Sequence, residues 1–219
     1  MNGVLSFIYG VLVKIVDDIY DNNFLLKYKY FFVTTLLLLT AYIIFFTKEL
    51  YILWTIALVG LGILGLIHPP LTDILPWKIS VGLGLIGFVY HCSSIKDFIF
   101  NLTAKDIIFL MFYAGSCGIA VLIEDKVLTE EYSKRKLSIR ALGAILTIGI
   151  LLYREKIKKI IDVSDPIYNI FLWTREQDLG YALCSVFVMV YYLYFNTKIQ
   201  SLDINLQTSF PKKIESEVM

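Results

Sequence analysis

The sequence is poor in the residues that build disulfide, zinc and redox sites. Its 219 residues include only three cysteines and two histidines. Cys92, Cys117 and Cys184 are isolated and form no CxxC pair, which excludes a disulfide framework or a zinc site of the usual spacing. His68 and His91 have no second histidine nearby, so a histidine-based metal site is not expected either.

Charge is scarce as well. Lys, Arg, Asp and Glu make up 18% of the chain, with a formal net charge of +1 at pH 7. A nearly neutral chain lacks the basic surface by which proteins bind nucleic acid, so no nucleic-acid partner is expected. Hydrophobic residues reach 58%, with a mean hydropathy of +0.70. The excess lies in blocks, which indicates insertion into a lipid bilayer rather than an unusually apolar soluble core.

Long apolar runs predict transmembrane helices, which need about 20 apolar residues each. Residues 3–21 are a further candidate, either a tilted span or an interfacial helix, and 167–173 are predicted to lie in the interface. We therefore predict an all-α fold, a polytopic membrane helical bundle with about 6–8 transmembrane helices. Residues 1–195 would form one transmembrane domain, followed by a flexible polar tail, 196–219. The six main runs are 31–47, 50–67, 78–91, 105–123, 139–153 and 179–195.

Glycines recur inside these runs and predict close packing between helices through small residues. Two of the groups spell GxGxxG, but a dinucleotide site would need a soluble strand–turn–helix context, which the runs do not offer. The groups are Gly60, Gly62 and Gly65, then Gly82, Gly84 and Gly87, then Gly115 and Gly118.

Crossing the membrane six times from residue 31 sorts the loops into two sides. Side A would carry 21–30, 68–77, 124–138 and the C-terminal tail, whereas side B would carry 48–49, 92–104 and 154–178. Lys and Arg number eleven on side A and eight on side B, so side A is predicted to be cytoplasmic. No basic segment of a cleavable signal peptide precedes the first apolar run.

Acidic residues from distant parts of the chain meet on side A. Asp17, Asp18 and Asp21 end the first helix, and Glu124 and Asp125 end the 105–123 helix. At spacings of three and four the aspartates are predicted to share one helix face, and few carboxylates with phosphate oxygens make the usual Mg²⁺ site. The alternative is an ordinary solvated helix end.

Basic residues follow the second acidic cluster. Lys134, Arg135 and Arg140 are placed to neutralise the charge of a bound phosphate group. The same cluster could instead anchor its span at anionic lipid headgroups.

This layout resembles the intramembrane prenyltransferases of the UbiA type, which carry two acidic motifs on one membrane face, four spans apart. The matching segments are DDIYD at 17–21 and ED at 124–125, although Asn22 and Asn23 follow where that family continues to a further aspartate. The resemblance implies Mg²⁺-dependent use of an isoprenoid diphosphate, in a transferase or terpene cyclase with a lipid-facing cavity. It implies metal binding by Asp17, Asp18, Asp21, Glu124 and Asp125, catalytic roles for Asp17, Asp21 and Asp125, and diphosphate binding by Lys134, Arg135 and Arg140.

Two other classes of protein remain open. A non-enzymatic scaffold or assembly factor of a membrane would share the same composition. A transporter of an apolar substrate would need a polar path through the bundle, which Lys14, the deepest charge in the sequence, should line.

Overall fold

The computed structural model describes residues 2–22, 25–47, 51–67, 74–127 and 134–196. Nearly all of these residues are helical and none of them is in a strand, so the predicted all-α class is confirmed for this part of the chain. The predicted tail, from residue 197 onward, lies outside the described residues. Within these described ranges there are nine α-helices: α1 (Asn2–Asn22), α2 (Lys29–Phe46), α3 (Tyr51–Ile67), α4 (Leu75–Tyr90), α5 (Cys92–Phe100), α6 (Ala104–Val127), α7 (Lys134–Leu152), α8 (Arg154–Ile161) and α9 (Asp165–Val190).

One to three helices of the described residues are long and apolar enough to cross a membrane. The segment Leu26–Phe46, which is α2 with the turn before it, qualifies alone. Two bent pairs qualify if each is counted as one span: α4 with α5, bent by 78°, and Lys136–Leu152 with α8, bent by 82°. The sequence-based count of six to eight is larger because it also admits helices that are shorter or that carry charge.

The directions of α1, α2 and α4 follow from their contacts. Lys29 Nζ lies 3.9 Å from the ring centroid of Tyr20, and further along the pair Thr40 Oγ1 donates to the Tyr9 hydroxyl at 3.2 Å. These two contacts make α1 and α2 antiparallel. The C-terminal ends of α2 and α4 meet, because a ring nitrogen of His91 is 2.9 Å from the carbonyl oxygen of Ile44.

Glycines allow α4 to pack closely on its neighbours, as the sequence predicts for these runs. A Cβ added to any of three glycines would approach a neighbouring side chain to between 2.5 and 2.7 Å. The three are Gly62 against Val81, Gly84 against Leu58 and Gly87 against Ile44. Leu58 of α3 faces Gly84 of α4, and Gly62, one turn later in α3, faces Val81, which is earlier in α4. α3 and α4 are therefore antiparallel. Gly60, Gly82 and Gly115 do not follow the prediction, because no described atom lies within 4 Å of a Cβ there.

The closest helix pair, α1 and α9, also depends on glycine. A Cβ on Gly10 would lie 2.0 Å from the backbone oxygen of Gln177, and one on Gly180 would lie 2.1 Å from that of Phe7. Since Gly3 lies beside Glu176 and Lys14 lies beside Tyr181, the two helices run parallel. The first and last α-helices of the described residues are therefore direct neighbours in the bundle.

The sequence-based assignment of residues 154–178 to a loop is wrong. These residues form α8 and the first half of α9, a continuous helix of 26 residues. The polar run Arg175–Asp178 interrupts the apolar pattern of the sequence. Because of that interruption, residues 167–173 were predicted to be a separate interfacial segment. In the structure this run lies inside α9, where Arg175 pairs with Asp178 of the same helix and donates to Tyr113 of α6.

One carboxylate joins the starts of α6 and α9. Asp106 Oδ2 accepts from the Thr103 backbone N–H at 3.0 Å and from its hydroxyl at 2.8 Å, while Thr103 Oγ1 accepts from the Asp106 N–H. This is a capping box that begins α6. Asp106 Oδ1 accepts from the N–H of Ser164, just before α9, at 2.8 Å. The buried Asp106 side chain therefore sets the positions of two helix starts at once.

Asp106→Ala is expected to destabilise the protein by about 2–3 kcal/mol, because it removes charged acceptors from three donors in a buried place. Chemical unfolding of the detergent-solubilised protein, followed by circular dichroism, measures this change. Asp97→Asn is the control, since Asp97 is an exposed carboxylate on α5. Equal unfolding curves for the two variants would contradict the assigned role of Asp106.

Candidate functional site

The three aspartates at the end of α1 do not share one environment. Lys14 Nζ lies 2.8 Å from Asp18 Oδ1 and 3.4 Å from Asp17 Oδ2. The Asp18 side chain is 1% exposed and that of Asp17 is 32% exposed, whereas Asp21 is exposed to solvent. Asp18 therefore serves a buried ion pair within α1, and Asp17 and Asp21, one turn apart, are the carboxylates that face outward.

Three helices converge on Tyr181 of α9. Its hydroxyl donates to Asp17 Oδ2 at 3.4 Å, and Lys14 Nζ lies 5.5 Å from its ring centroid. From α7, the guanidinium carbon of Arg140 lies 5.1 Å from the same centroid. We call this group, Lys14, Asp17, Asp18, Arg140 and Tyr181, the α1–α7–α9 seam. Two predicted site residues, Asp17 and Arg140, thus come together from distant parts of the chain.

A second polar group lies further along α9, toward its N-terminus. Arg175 Nη2 donates to the Tyr113 hydroxyl of α6 at 2.5 Å and pairs with Asp178 Oδ2 at 2.9 Å. The Tyr113 hydroxyl also lies 2.5 Å from the hydroxyl of Thr174. Asp178 lies three residues before Tyr181 on α9, so this group is next to the seam along the helix.

Helix rise places both polar groups below the bundle ends. Tyr181 lies nine residues before the end of α9 at Val190, which is about 14 Å along the axis. Arg175 lies ten residues after the start of α9 at Asp165, about 15 Å from that end. Both polar groups therefore lie in the middle of α9 rather than at its ends.

The second acidic motif is only partly described. Glu124 and Asp125 lie on the last turns of α6, but their side chains lie outside the described part of the chain. Because Asp106 contacts Ser164 and Tyr113 contacts Thr174, α6 runs parallel to α9. The C-terminal ends of α1, α6 and α9 therefore point the same way, and we call that end of the bundle end A. Whether the two acidic motifs meet there stays a prediction.

The predicted diphosphate-binding cations divide in the same way. Arg140 belongs to the seam. Lys134 and Arg135 begin α7, and their side chains lie outside the described part of the chain, so their roles stay predictions.

The donor set matches the way Mg²⁺ is bound in substrate complexes. Across the described ranges, no three His, Cys, Asp or Glu side chains form a group that could hold a metal ion by themselves. Mg²⁺ rarely uses such a group when a phosphate is present, since one or two carboxylates with phosphate oxygens and water suffice. Asp17 and Asp21, at i and i+4 on the outward face of α1, provide that number.

Sequence reasoning did not identify the α9 and α6 members of these groups. Arg175 and Asp178 were missed because residues 154–178 were assigned to a loop, and Tyr113 and Tyr181 were missed because they lie in apolar runs without a charged neighbour that would single them out. For the α1 members of the seam, however, the sequence does contain a usable signal. Lys14 and Asp18 are four residues apart, which predicts an ion pair on one helix face.

No protein-family model, no curated protein and no solved structure matches this chain.

Proposed function

We propose that the chain is an integral membrane protein with seven spans, α1, α2, α3, α4, α6, α7 and α9. The helix directions support this number, because successive long helices run in opposite directions wherever their contacts define them. α7 follows the same rule: Arg140 near its start contacts Tyr181, and the Arg154 carbonyl just beyond its end accepts from the Tyr168 hydroxyl. α3 and α4 have 17 and 16 residues, about 25 Å of helix, close to the thickness of a hydrocarbon core of about 30 Å.

We further propose that the seam binds the Mg²⁺-diphosphate head of an isoprenoid, as a prenyltransferase or terpene cyclase would. The observation that carries this proposal is the convergence of Asp17 and Arg140 on Tyr181 from α1, α7 and α9. Carboxylates for a metal and a guanidinium for phosphate oxygens are then within reach of one ligand head group. The resemblance in motif layout to the UbiA type supports the same substrate class.

Each seam residue has a distinct role in this proposal, and Asp21, one turn after Asp17 on α1, joins them. Asp17 and Asp21 would hold the metal ion, which neutralises diphosphate charge when bound. Arg140 would bind the phosphate oxygens bidentately, and Tyr181 positions the Asp17 carboxylate through its hydroxyl. Asp18 pairs with Lys14 and so compensates a positive charge that would otherwise be isolated inside the bundle. Glu124, Asp125, Lys134 and Arg135 would complete the site from α6 and α7.

Geranylgeranyl diphosphate is expected to bind the detergent-purified full chain only with Mg²⁺, and Asp17→Asn/Asp21→Asn is expected to weaken binding at least about tenfold because it removes the protein ligands of the metal. Arg140→Gln should weaken it by about tenfold through loss of a charge-assisted hydrogen bond. Isothermal titration calorimetry with and without EDTA gives the affinities.

Asp97→Asn is the matched control, since it also removes exposed carboxylate charge but lies on α5, far from the seam in sequence. Binding that survives both EDTA and the Asp17→Asn/Asp21→Asn change would contradict the proposal. That result would leave a non-enzymatic membrane protein as the better description.

A transporter is the second candidate, and the depth of the charges favours it. Four charged residues lie on two turns of α9 and on the facing surfaces of α1 and α7: Arg175 and Asp178 on α9, Lys14 on α1 and Arg140 on α7. A path of this kind is what ion-coupled transport requires. Proton flux into proteoliposomes, followed with an internal pH dye, separates the candidates, because only a transporter gives a flux that Asp178→Asn removes.

A further inference from the structure

α5 and α8 differ from the other helices in their direction. α5 follows α4 with a bend of 78°, and α8 follows α7 with a bend of 82°. Both therefore lie across the bundle rather than along it. They lie at the end opposite end A, which we call end B, because the segment after α5 is tied to the segment after α8 by Asp106 and Ser164.

α8 is held firmly on the bundle. The Tyr168 hydroxyl of α9 donates to the Arg154 carbonyl at the start of α8. At the other end of the helix, Lys158 Nζ lies 2.6 Å from Asp165 Oδ1, and this hydrogen bond raises the pKa of Lys158. The connection to α6 adds an exposed ion pair, Lys105 with Asp162. These contacts place one side of α8 against the bundle, so its other faces point outward.

The outward faces of α8 are of two kinds. Tyr153 and Ile160, seven residues apart and so on one face, are 58% and 80% exposed. The remainder of the helix surface is basic, with four cations and one carboxylate among eight residues, REKIKKII. Of the cations, Lys156 and Lys159 are exposed. An apolar face that no described residue covers fully would be unfavourable in water, but it suits the boundary between acyl chains and headgroups.

We propose that α8 lies in the headgroup layer of the membrane at end B and binds anionic phospholipid there, with Tyr153 and Ile160 inserted and Lys156 and Lys159 on lipid phosphates. Three observations favour a lipid surface over a protein partner. The helix lies perpendicular to a helix of spanning length, its apolar face is directly continuous with the exposed apolar end of α7 at Leu152, and its free charge is positive. Long lysine side chains reach up from such a position to phosphate oxygens.

This inference rests on the proposed membrane insertion but not on diphosphate binding. The test is hydrogen–deuterium exchange of the full chain in nanodiscs of phosphatidylcholine alone and of phosphatidylcholine with phosphatidylglycerol. Amides of 153–161 are expected to exchange several-fold more slowly with the anionic lipid. Lys156→Gln/Lys159→Gln should remove the difference, because each lysine raises the affinity for anionic lipid by about fivefold. Lys212→Gln/Lys213→Gln, which removes the same charge from the C-terminal segment, should retain the difference.

Amides of Leu26–Phe46 serve as the reference for insertion. If they are protected in both lipids while 153–161 exchange equally in both, the lipid site on α8 is wrong and membrane insertion stands. If Leu26–Phe46 also exchange freely in nanodiscs, the spanning arrangement itself fails, and the α8 inference fails with it. Slower exchange in anionic lipid that persists in Lys156→Gln/Lys159→Gln would equally overturn the assignment to these lysines.

Discussion

Gly10→Ala is expected to destabilise the protein by about 2–3 kcal/mol, and Gly10→Leu is expected to prevent α1 from docking on α9. The reason is steric: an added Cβ would lie 2.0 Å from the backbone oxygen of Gln177. Backbone cannot rotate away as a side chain can, so the helices would have to separate and lose their packing.

Gly82→Ala is the matched control for this prediction. No described atom lies within 4 Å of a Cβ at Gly82, and alanine is favoured over glycine in a helix by up to about 1 kcal/mol. Gly82→Ala should therefore be neutral or stabilising. Unfolding in mixed micelles of mild detergent and dodecyl sulfate, followed by circular dichroism, gives both values. An unfolding free energy for Gly10→Ala no lower than that for Gly82→Ala would contradict the close backbone contact at Gly10.

The contrast between these glycines shows how far the sequence predicts the fold. α2, α3, α4 and α7 were located to within a few residues, because an uncharged apolar run is a local property of composition. Three glycines of these runs, Gly62, Gly84 and Gly87, were also recognisable as packing positions. Gly180 is the one glycine of its run and Gly10 shares its run only with Gly3. Their importance arises from a helix pair about 170 residues apart in sequence, which no local pattern encodes.

The same limit applies to α9 and to the site. A polar run such as Arg175–Asp178 normally ends an apolar segment, and sequence reasoning ended one there. It continues as helix because Tyr113 and the helix itself supply partners for Arg175. Likewise, the spacing of Asp17, Asp18 and Asp21 predicts one acidic face, whereas tertiary packing buries Asp18 and exposes Asp21. Local spacing determines which residues can share a helix face, whereas packing against neighbouring helices determines which of them are buried.

The ion pair of Lys14 and Asp18 is expected to make a large contribution to the free energy of unfolding, which a double-mutant cycle can measure. Lys14→Met leaves a 1% exposed carboxylate without its closest cation, and Asp18→Asn leaves the lysine without its closest carboxylate. Removing one partner of a buried pair costs about 3–5 kcal/mol. The double variant Lys14→Met/Asp18→Asn removes both charges together, so it should recover most of that loss and give a coupling free energy of about 2 kcal/mol or more.

An exposed pair provides the comparison for this double-mutant cycle. Lys105 and Asp162 are in contact, but their side chains are 70% and 75% exposed, and solvent-exposed pairs contribute little. The cycle with Lys105→Met and Asp162→Asn should therefore give a coupling close to zero in the same unfolding assay. A large coupling at Lys14–Asp18 would mean that Asp18 is committed to a structural pair, so that any metal on α1 depends on Asp17 and Asp21. A coupling as small as that of the exposed pair would mean that Lys14 and Asp18 are solvated in the folded protein, and it would return Asp18 to the set of carboxylates available for a metal ion.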